Sequence, residues 1–331
     1  MTLNDFFSSL TTEESIERLE SQLVEAVSVD DMYLNEIATH LIKAGGKRLR
    51  PALTICAAST RHGEIKHETI MGAVSVELVH LASLYHDDVM DEAVKRRNVA
   101  SVNALWGNRL AIVVGDYLLA RSAEIAASLG SEIASLIAAT LSRLCHGQVT
   151  EVRSCYDVNR TQEQYLESIA DKTASLTATA CRIGGITAGL GMDEIDALTV
   201  YGENLGMIFQ IRDDVLDVVA TEEFLRKPPG QDLAEGVYTM PACWALQNPS
   251  VGEELASLLG RPLTPEQLTV ARRLIISSDA IERTAVVAKQ YAKTAQLACE
   301  KLSNTEVATK LANLADNLLL AIDTTDAALA S

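Results

Sequence analysis

The chain has 331 residues, of which 48% are hydrophobic and only 4% aromatic, and its formal net charge is −17. A charge of that size and sign argues against nucleic acid or an anionic membrane surface as a partner, because either would repel the protein. No apolar run reaches the ~18 uncharged residues of a transmembrane helix, and MTLNDFFSSL lacks the regions of a signal peptide. We therefore expect a cytoplasmic protein without a transmembrane segment.

Helix-forming residues dominate the chain. Long runs are rich in Ala, Leu, Ile and Glu, and no proline occurs between Ala52 and Lys227. The alternation that a sheet requires is missing, and no linker rich in Pro, Gly or Ser marks a boundary. We predict an all-α protein with a single domain over residues 1–331 and an aliphatic core between its helices.

Two amphipathic helices are predicted first, over residues 13–27 and 33–43. The turn that follows, GGKRLRP, carries three cations, Lys47, Arg48 and Arg50, before a proline that suits the first turn of a helix. Such cations are candidates for binding a phosphate group, because lysine supplies a point charge and arginine a two-pronged donor. The ordinary alternative is a helix cap followed by a solvated basic turn.

An acidic cluster, DDVMD at Asp87, Asp88 and Asp91, follows the apolar stretch Val76–Tyr85, which is predicted to be a buried helix. On a helix its first and last Asp lie one turn apart and point the same way, with the middle Asp beside them. A divalent cation would neutralise their repulsion, and Mg²⁺ prefers such oxygen ligands together with water and substrate phosphates. Taken alone, one such cluster is more often a solvated surface patch.

A second cluster weakens that alternative. DDVLD at Asp213, Asp214 and Asp217 follows another apolar stretch, Leu205–Ile211, and Gln210 lies on the same helix face. Two acidic clusters next to buried helices are difficult to explain by surface exposure, so we predict a metal site.

Other polar residues accompany the two clusters. His80 lies two turns before the first cluster on its own face, although a lone histidine is more often a core residue than a ligand. Three cations, KRR, follow the first cluster where its helix should end. Lys172 and Thr173 lie in a predicted helical stretch, and Lys227 opens the irregular segment RKPPGQDLAEGVYTMP, a candidate for a loop that closes over a ligand.

Together these motifs resemble the trans-isoprenyl diphosphate synthase (polyprenyl synthetase) family over nearly the whole chain. The resemblance rests on GGKRLRP at 45–51, HDDVMDEAVKRRN at 86–98, WGN at 106–108, GDYLLA at 115–120, DKTASL at 171–176 and GMIFQIRDDVLD at 206–217. It implies an antiparallel helical bundle around a deep central cavity, usually a homodimer. The implied reaction is the head-to-tail condensation of an allylic diphosphate with isopentenyl diphosphate.

The resemblance also implies roles for individual residues. Asp87, Asp91 and Asp213 would be the principal ligands of about three Mg²⁺ ions, with Asp88, Asp214 and Asp217 beside them. The residues implied to contact the allylic substrate are Arg96, Lys172, Thr173, Gln210 and Lys227, and those for isopentenyl diphosphate are Lys47, Arg50, His80 and Arg97. The catalytic residues that the resemblance implies are Asp87, Asp88, Asp91, Arg96, Lys172, Asp213, Asp214 and Lys227. One departure is Val237, where many members carry a second lysine.

The length of the product depends on the residues behind the first cluster. If the diphosphate is held at Asp87, the growing chain passes Ser83 and Ala82, which are small where short-chain members often carry an aromatic floor. The tunnel is then open for at least another turn, about 5.4 Å. We predict a long-chain polyprenyl diphosphate, of the kind used for a quinone side chain. Geranylgeranyl diphosphate is the leading alternative, because a floor can also come from Val79, Val76 or side chains of the facing helix such as Leu118 and Leu119.

Two other classes remain open. A terpene cyclase would share the fold and one acidic motif, but it needs no second diphosphate site, so the set around Lys47 and Arg97 counts against it. The chain could also be one subunit of a heteromeric prenyl synthase that works with a smaller partner. Both acidic clusters are intact, which favours a catalytic chain.

Overall fold

The structure, a computed structural model, describes residues 10–225 and 228–329. Its helices are α1 (Glu13–Val27), α2 (Met32–Lys43), α3 (Leu49–Ala58), α4 (His67–Met90), α5 (Val102–Trp106), α6 (Asn108–Ser128), α7 (Ser131–Arg153), α8 (Gln162–Ile169), α9 (Ser175–Ala188), α10 (Met192–Val219), α11 (Glu222–Leu225), α12 (Gln231–Glu235), α13 (Met240–Leu246), α14 (Gly252–Leu258), α15 (Pro265–Ile276), α16 (Ala280–Cys299) and α17 (Thr305–Leu329). The predicted all-α class is confirmed. Among the described residues, no helix combines the length and apolar character needed to cross a membrane.

A small antiparallel hairpin is the one exception to helix and loop in the described ranges. Its strands are β1 (Lys95–Arg96) and β2 (Val99–Ala100), and Arg97 and Asn98 at its tip have φ angles of 52° and 65°. The sequence did not predict this hairpin, because two residues per strand are too few to show an alternation.

The chain divides into two compact units. Of the described residues, the first comprises 10–141, 176–199 and 301–310, and the second 142–175, 200–225, 228–300 and 311–329. The single domain expected from the sequence stays a prediction.

In the first unit, α4 packs along α6 and also contacts α1 and α3. Its core is aliphatic, as the shortage of aromatic residues predicted, and includes Leu23, Leu41 and Leu78. Tyr85 is an exception. It is fully buried, and its hydroxyl donates to the carbonyl of Ile37 at 2.7 Å. Tight packing of this kind fixes the end of α4, where the first acidic cluster lies.

In the second unit, α13 packs on α15 and α16, and the core around them includes Tyr165, Ile211, Val215 and Tyr238. Between α8 and α9 the backbone forms one π-helical turn, Ala170–Ala174. The sequence predicted a helical stretch there, without indicating that one of its turns is wider. Apolar periodicity does not reveal a single wider turn, and such turns are frequent at functional sites.

Candidate active site

The first acidic cluster lies where α4 ends. Asp87 is half-buried, Asp88 is 0% exposed, and Asp91 is the exposed residue that caps the helix. The N–H of Asp91 still donates to the carbonyl of Asp87 at 2.8 Å, so the two residues are one turn apart, as predicted. Asp88 is turned into the protein and does not share their environment.

Asp88 is held by a residue from the hairpin. Arg96 donates to Asp88 Oδ1 from Nε at 2.7 Å and from Nη2 at 2.6 Å. Burial raises the pKa of Asp88, and Arg96 opposes that rise without cancelling it. Asp88 Oδ2 is buried and has no hydrogen-bond partner among the described residues. A buried carboxylate oxygen of this kind is available to a cation.

The turn after α4 is fixed by a side-chain amide. Asn103 Nδ2 donates to the carbonyls of Asp88 at 2.9 Å and Ala93 at 3.0 Å, while Glu92 has a φ of 50°. These bonds join α5 to the acidic cluster and to the turn that follows it.

Arg97 contacts the glycine turn predicted to bind phosphate. Its Nη1 donates to the carbonyls of Leu41, at 3.0 Å, and Gly45. A Cβ on Gly46 would lie 2.8 Å from the Arg97 guanidinium carbon, so a side chain at this position would displace the arginine. The structure therefore brings together two motifs that are far apart in the sequence.

The three cations of the basic turn have different environments. Arg48 is buried, and it donates to Glu20 Oε1 at 2.7 Å and to Glu77 Oε1 at 2.9 Å. Lys47 is exposed and Arg50 is half-buried. Arg48 is thus part of the structural support, whereas Lys47 and Arg50 remain candidates for a ligand.

His80 lies beside these cations. Burial lowers its pKa well below the ordinary value, and the charges of Arg50 and Arg97 lower it further. At neutral pH the imidazole is therefore uncharged and can both donate and accept a hydrogen bond.

The second acidic cluster lies on α10. The side chain of Asp213 is 45% exposed and accepts a hydrogen bond from Arg212 Nη1 at 2.8 Å. Asp214 is buried, and it accepts from the hydroxyl of Tyr165 at 2.5 Å and from Gln210 Nε2 at 2.7 Å. Burial raises the pKa of Asp214 to about 7, although both hydrogen bonds oppose the rise.

The π-helical turn is joined to this cluster. Thr173 Oγ1 donates to Gln210 Oε1 at 2.9 Å, and Lys172 forms an ion pair with Glu151 on α7. A Cβ on Gly147 would lie 2.5 Å from the backbone nitrogen of Lys172, so α7 can approach the turn only with glycine there. The predicted residues Thr173 and Gln210 are thereby in direct contact.

Asp217 holds the loop after α10. It is buried, its Oδ2 accepts the N–H of Asp232 at 3.1 Å, and its carbonyl accepts the N–H of Gly230 at 2.8 Å. Val237, where many members have lysine, is half-buried, and its N–H donates to the carbonyl of Asp232 at 2.8 Å. Lys227, a predicted site residue, lies outside the described residues.

The residues proposed to control product length line α4 before Asp87. Ala82 is fully buried, and Ser83 is half-buried with its hydroxyl donating to the carbonyl of His80 at 2.8 Å. Val76 and Val79, two of the alternative floor residues, are also buried.

In the described part of the chain, no group of three His, Cys, Asp or Glu side chains is arranged so that it could hold a metal ion.

Comparison with known proteins identifies the family. A model of the polyprenyl synthetase family matches residues 31–274. The chain belongs to this family. Heptaprenyl diphosphate synthase component 2 of Geobacillus stearothermophilus is 38% identical over 293 residues, which cover 88% of this chain and 90% of the relative. Nonaprenyl diphosphate synthase of Mycobacterium tuberculosis is 36% identical over 297 residues, which cover 89% of this chain and 88% of the relative.

A solved structure supports the same assignment. The polyprenyl synthase of Caulobacter crescentus, crystallised with calcium and isoprenyl diphosphate, is 33% identical with a TM-score of 0.88, covering 96% of this chain and 97% of that one. The isoprenoid synthase fold and the prenyltransferase class expected from the sequence are confirmed.

Several polar residues of this polyprenyl synthetase were not predicted from the sequence. Glu77 and Glu20 pair with the basic turn, Tyr165 with Asp214, and Glu151 with Lys172. Only Glu77 had a visible signal, since it is a charged residue inside an otherwise apolar helical stretch.

Proposed function

We propose that the protein condenses isopentenyl diphosphate with an allylic diphosphate, farnesyl or geranylgeranyl, and makes a long-chain all-trans polyprenyl diphosphate. Membership of the polyprenyl synthetase family supports the reaction. The names of two relatives, a heptaprenyl and a nonaprenyl diphosphate synthase, support a long product. The observation within the chain that carries the product length is the small size of Ala82 and Ser83 on the face of α4 before Asp87.

The acidic clusters are proposed to bind about three Mg²⁺ ions. Asp87, Asp91 and Asp213 would be the principal ligands, with Asp88, Asp214 and Asp217 beside them. Carboxylate oxygens suit this ion, the buried Oδ2 of Asp88 can accept a cation, and a relative was crystallised with calcium. Bound metal ions would stabilise the charge on the departing diphosphate.

The cations and polar side chains are proposed to bind the two substrates separately. Isopentenyl diphosphate would be bound by Lys47, Arg50, His80 and Arg97. The lysine and the two arginines carry positive charge, and His80 is a neutral hydrogen-bonding group among them. The residues proposed for the allylic substrate are Arg96, Lys172, Thr173, Gln210 and Lys227. Arg96 and Lys172 already have acidic partners, Asp88 and Glu151, which would position them before the substrate binds.

The chain is proposed to form a homodimer and to act in the cytoplasm, with the product attached to a quinone. A second arrangement has specific support, because one relative is named as component 2 of a heptaprenyl diphosphate synthase. In that arrangement this chain would be the catalytic subunit and would need a partner for turnover.

The experiment is an incubation of the purified protein with Mg²⁺, isopentenyl diphosphate and, in turn, geranyl, farnesyl and geranylgeranyl diphosphate. The products are separated by chain length. Elongation beyond twenty carbons is expected, and a stop at twenty would make the protein a geranylgeranyl diphosphate synthase. Consumption of the allylic diphosphate alone would identify a cyclase. No reaction with any primer, in a protein that still binds the substrates, would point to a missing subunit.

A further inference from the structure

Glu77 is a buried carboxylate that pairs with the basic turn and to which no role in the reaction has been assigned. It lies on α4, three residues before His80, and is 1% exposed. An isolated carboxylate in such an environment would be strongly destabilising, so its partners indicate why it is there.

Arginines from two separate segments converge on one oxygen of Glu77. Arg48 Nη1 donates to Oε1 at 2.9 Å, and Arg97 Nη2 lies 3.8 Å from the same atom. The charge of Glu77 also reaches Arg50, where it opposes the lowering of the arginine pKa by burial. One carboxylate oxygen therefore faces the guanidinium groups of both Arg48 and Arg97.

Arg48 and Arg50 differ in whether the nitrogens of their guanidinium groups have hydrogen-bond partners. All three nitrogens of Arg48 donate, to Glu20, Glu77 and the carbonyl of Ile42. Arg50 is different, since its Nε is buried without a hydrogen-bond partner in the ranges that the structure describes. An unsatisfied buried donor of this kind points to an anion that binds there.

Arg97 is fixed from two sides. The carbonyls of Leu41 and Gly45 accept from its Nη1, whereas Glu77 faces its Nη2. Without Glu77, the positive charges of Arg48, Arg50 and Arg97 would repel one another, and Glu20, which pairs with Arg48, would be the remaining acidic partner of this group in the described residues.

We propose that Glu77 is a positioning residue that holds Arg97 in place, so that Arg97 can act with Arg50 on the diphosphate of isopentenyl diphosphate, without contacting the substrate itself. This inference rests on the proposed function, which assigns the two arginines to that substrate. The benefit is preorganisation, because the cations are already ordered when the anion arrives.

The test compares wild type with Glu77→Gln, Glu77→Asp and Glu20→Gln in the full-length protein. Glu77→Gln removes the charge, and Glu77→Asp keeps the charge but shortens its reach. Glu20→Gln is the matched control, because Glu20 is the other acidic partner of Arg48. Calorimetric titration with isopentenyl diphosphate alone gives its Kd, steady-state kinetics give KM for each substrate, and circular dichroism reports folding.

Both Glu77 variants are expected to bind isopentenyl diphosphate more weakly, with Kd and KM for this substrate raised about tenfold. The KM for the allylic substrate should stay within about twofold of the wild-type value. Glu20→Gln is expected to lower the melting temperature and leave both KM values unchanged. Should Glu77→Gln fail to fold, Glu77→Asp carries the test, because it keeps a negative charge at this buried position and changes only its distance from the arginines.

Two results would overturn the inference, and they differ from each other. Wild-type affinity in folded Glu77 variants, or an equal loss in Glu20→Gln, would show that Glu77 has only a structural role. A wild-type protein that binds no isopentenyl diphosphate would instead remove the proposed function, and the inference with it.

Discussion

Asp214→Asn is expected to change how the stability of the metal-free protein depends on pH. Burial raises the pKa of Asp214 from 3.8 to about 7, and the hydrogen bonds from Tyr165 and Gln210 only partly oppose this. Between these two pH values the folded protein keeps a proton on Asp214 that the unfolded chain has lost. A group with a raised folded pKa stabilises the protein at low pH, and that contribution decreases as the pH rises through 7.

The size of the effect follows from the pKa. From pH 5 to pH 8, the wild type should lose roughly 3 kcal/mol through this group, since each of the two pH units below 7 corresponds to about 1.4 kcal/mol. Asparagine does not titrate, so Asp214→Asn lacks this loss. The difference in unfolding free energy between variant and wild type should therefore shift by that amount in favour of the variant.

Urea unfolding in EDTA, followed by circular dichroism at constant ionic strength from pH 5 to pH 8, measures this difference. Asp193→Asn is a suitable control, because it makes the same substitution at an exposed position in the first turn of the same helix. The control is expected to follow the wild type. Parallel curves for wild type and Asp214→Asn would refute the proposed protonation of Asp214.

Three further changes have defined outcomes. Ser83→Phe should shorten the main product, measured by chromatography of the polyprenyl chains, and an unchanged length would contradict the open tunnel. Gly147→Ala places a methyl group 2.5 Å from the backbone nitrogen of Lys172, so we expect a loss of about 1–3 kcal/mol in stability and a lower kcat; a wild-type melting temperature would disprove the close approach. Asp87→Ala should abolish turnover with an unchanged circular dichroism spectrum, and an active variant would remove its proposed role as a metal ligand.

Much of the fold was predictable because helix signals are local. The first two helices were predicted at residues 13–27 and 33–43 and occur at Glu13–Val27 and Met32–Lys43. The sequence could not predict the hairpin at Lys95–Arg96 or the π-helical turn at Ala170–Ala174. Both are too short for periodicity, and they depend on contacts with distant segments.

The sequence predicted which residues belong to the site better than it predicted which of them form hydrogen bonds and ion pairs with one another. The motif identified the cations at Lys47 and Arg50, but nothing local distinguished Arg48, whose donors are used by Glu20 and Glu77. These two acids are distant in sequence, at separations of 28 and 29 residues. Pairings over such distances are determined by the packing of α1, α3 and α4, which no single motif encodes.

The two acidic clusters share one internal arrangement. In each, the second Asp is buried and hydrogen-bonded: Asp88 to Arg96, and Asp214 to Tyr165 and Gln210. Adjacent residues on a helix point about 100° apart, so one carboxylate of each pair can face the core while its neighbour does not. The repeated Asp is therefore a support for its neighbour, in addition to any contact with metal.

The remaining Asp residues differ between the clusters in a way that bears on the proposed ligands. In the first cluster, Asp87 is half-buried and Asp91 is exposed at the end of α4. In the second, Asp213 is exposed, whereas Asp217 is buried and its side chain accepts a hydrogen bond from the backbone N–H of Asp232. Exposure therefore selects Asp87, Asp91 and Asp213, the same three residues that the motifs imply as principal metal ligands. Family motifs and burial are independent observations, and their agreement supports these three as the ligands to be mutated first.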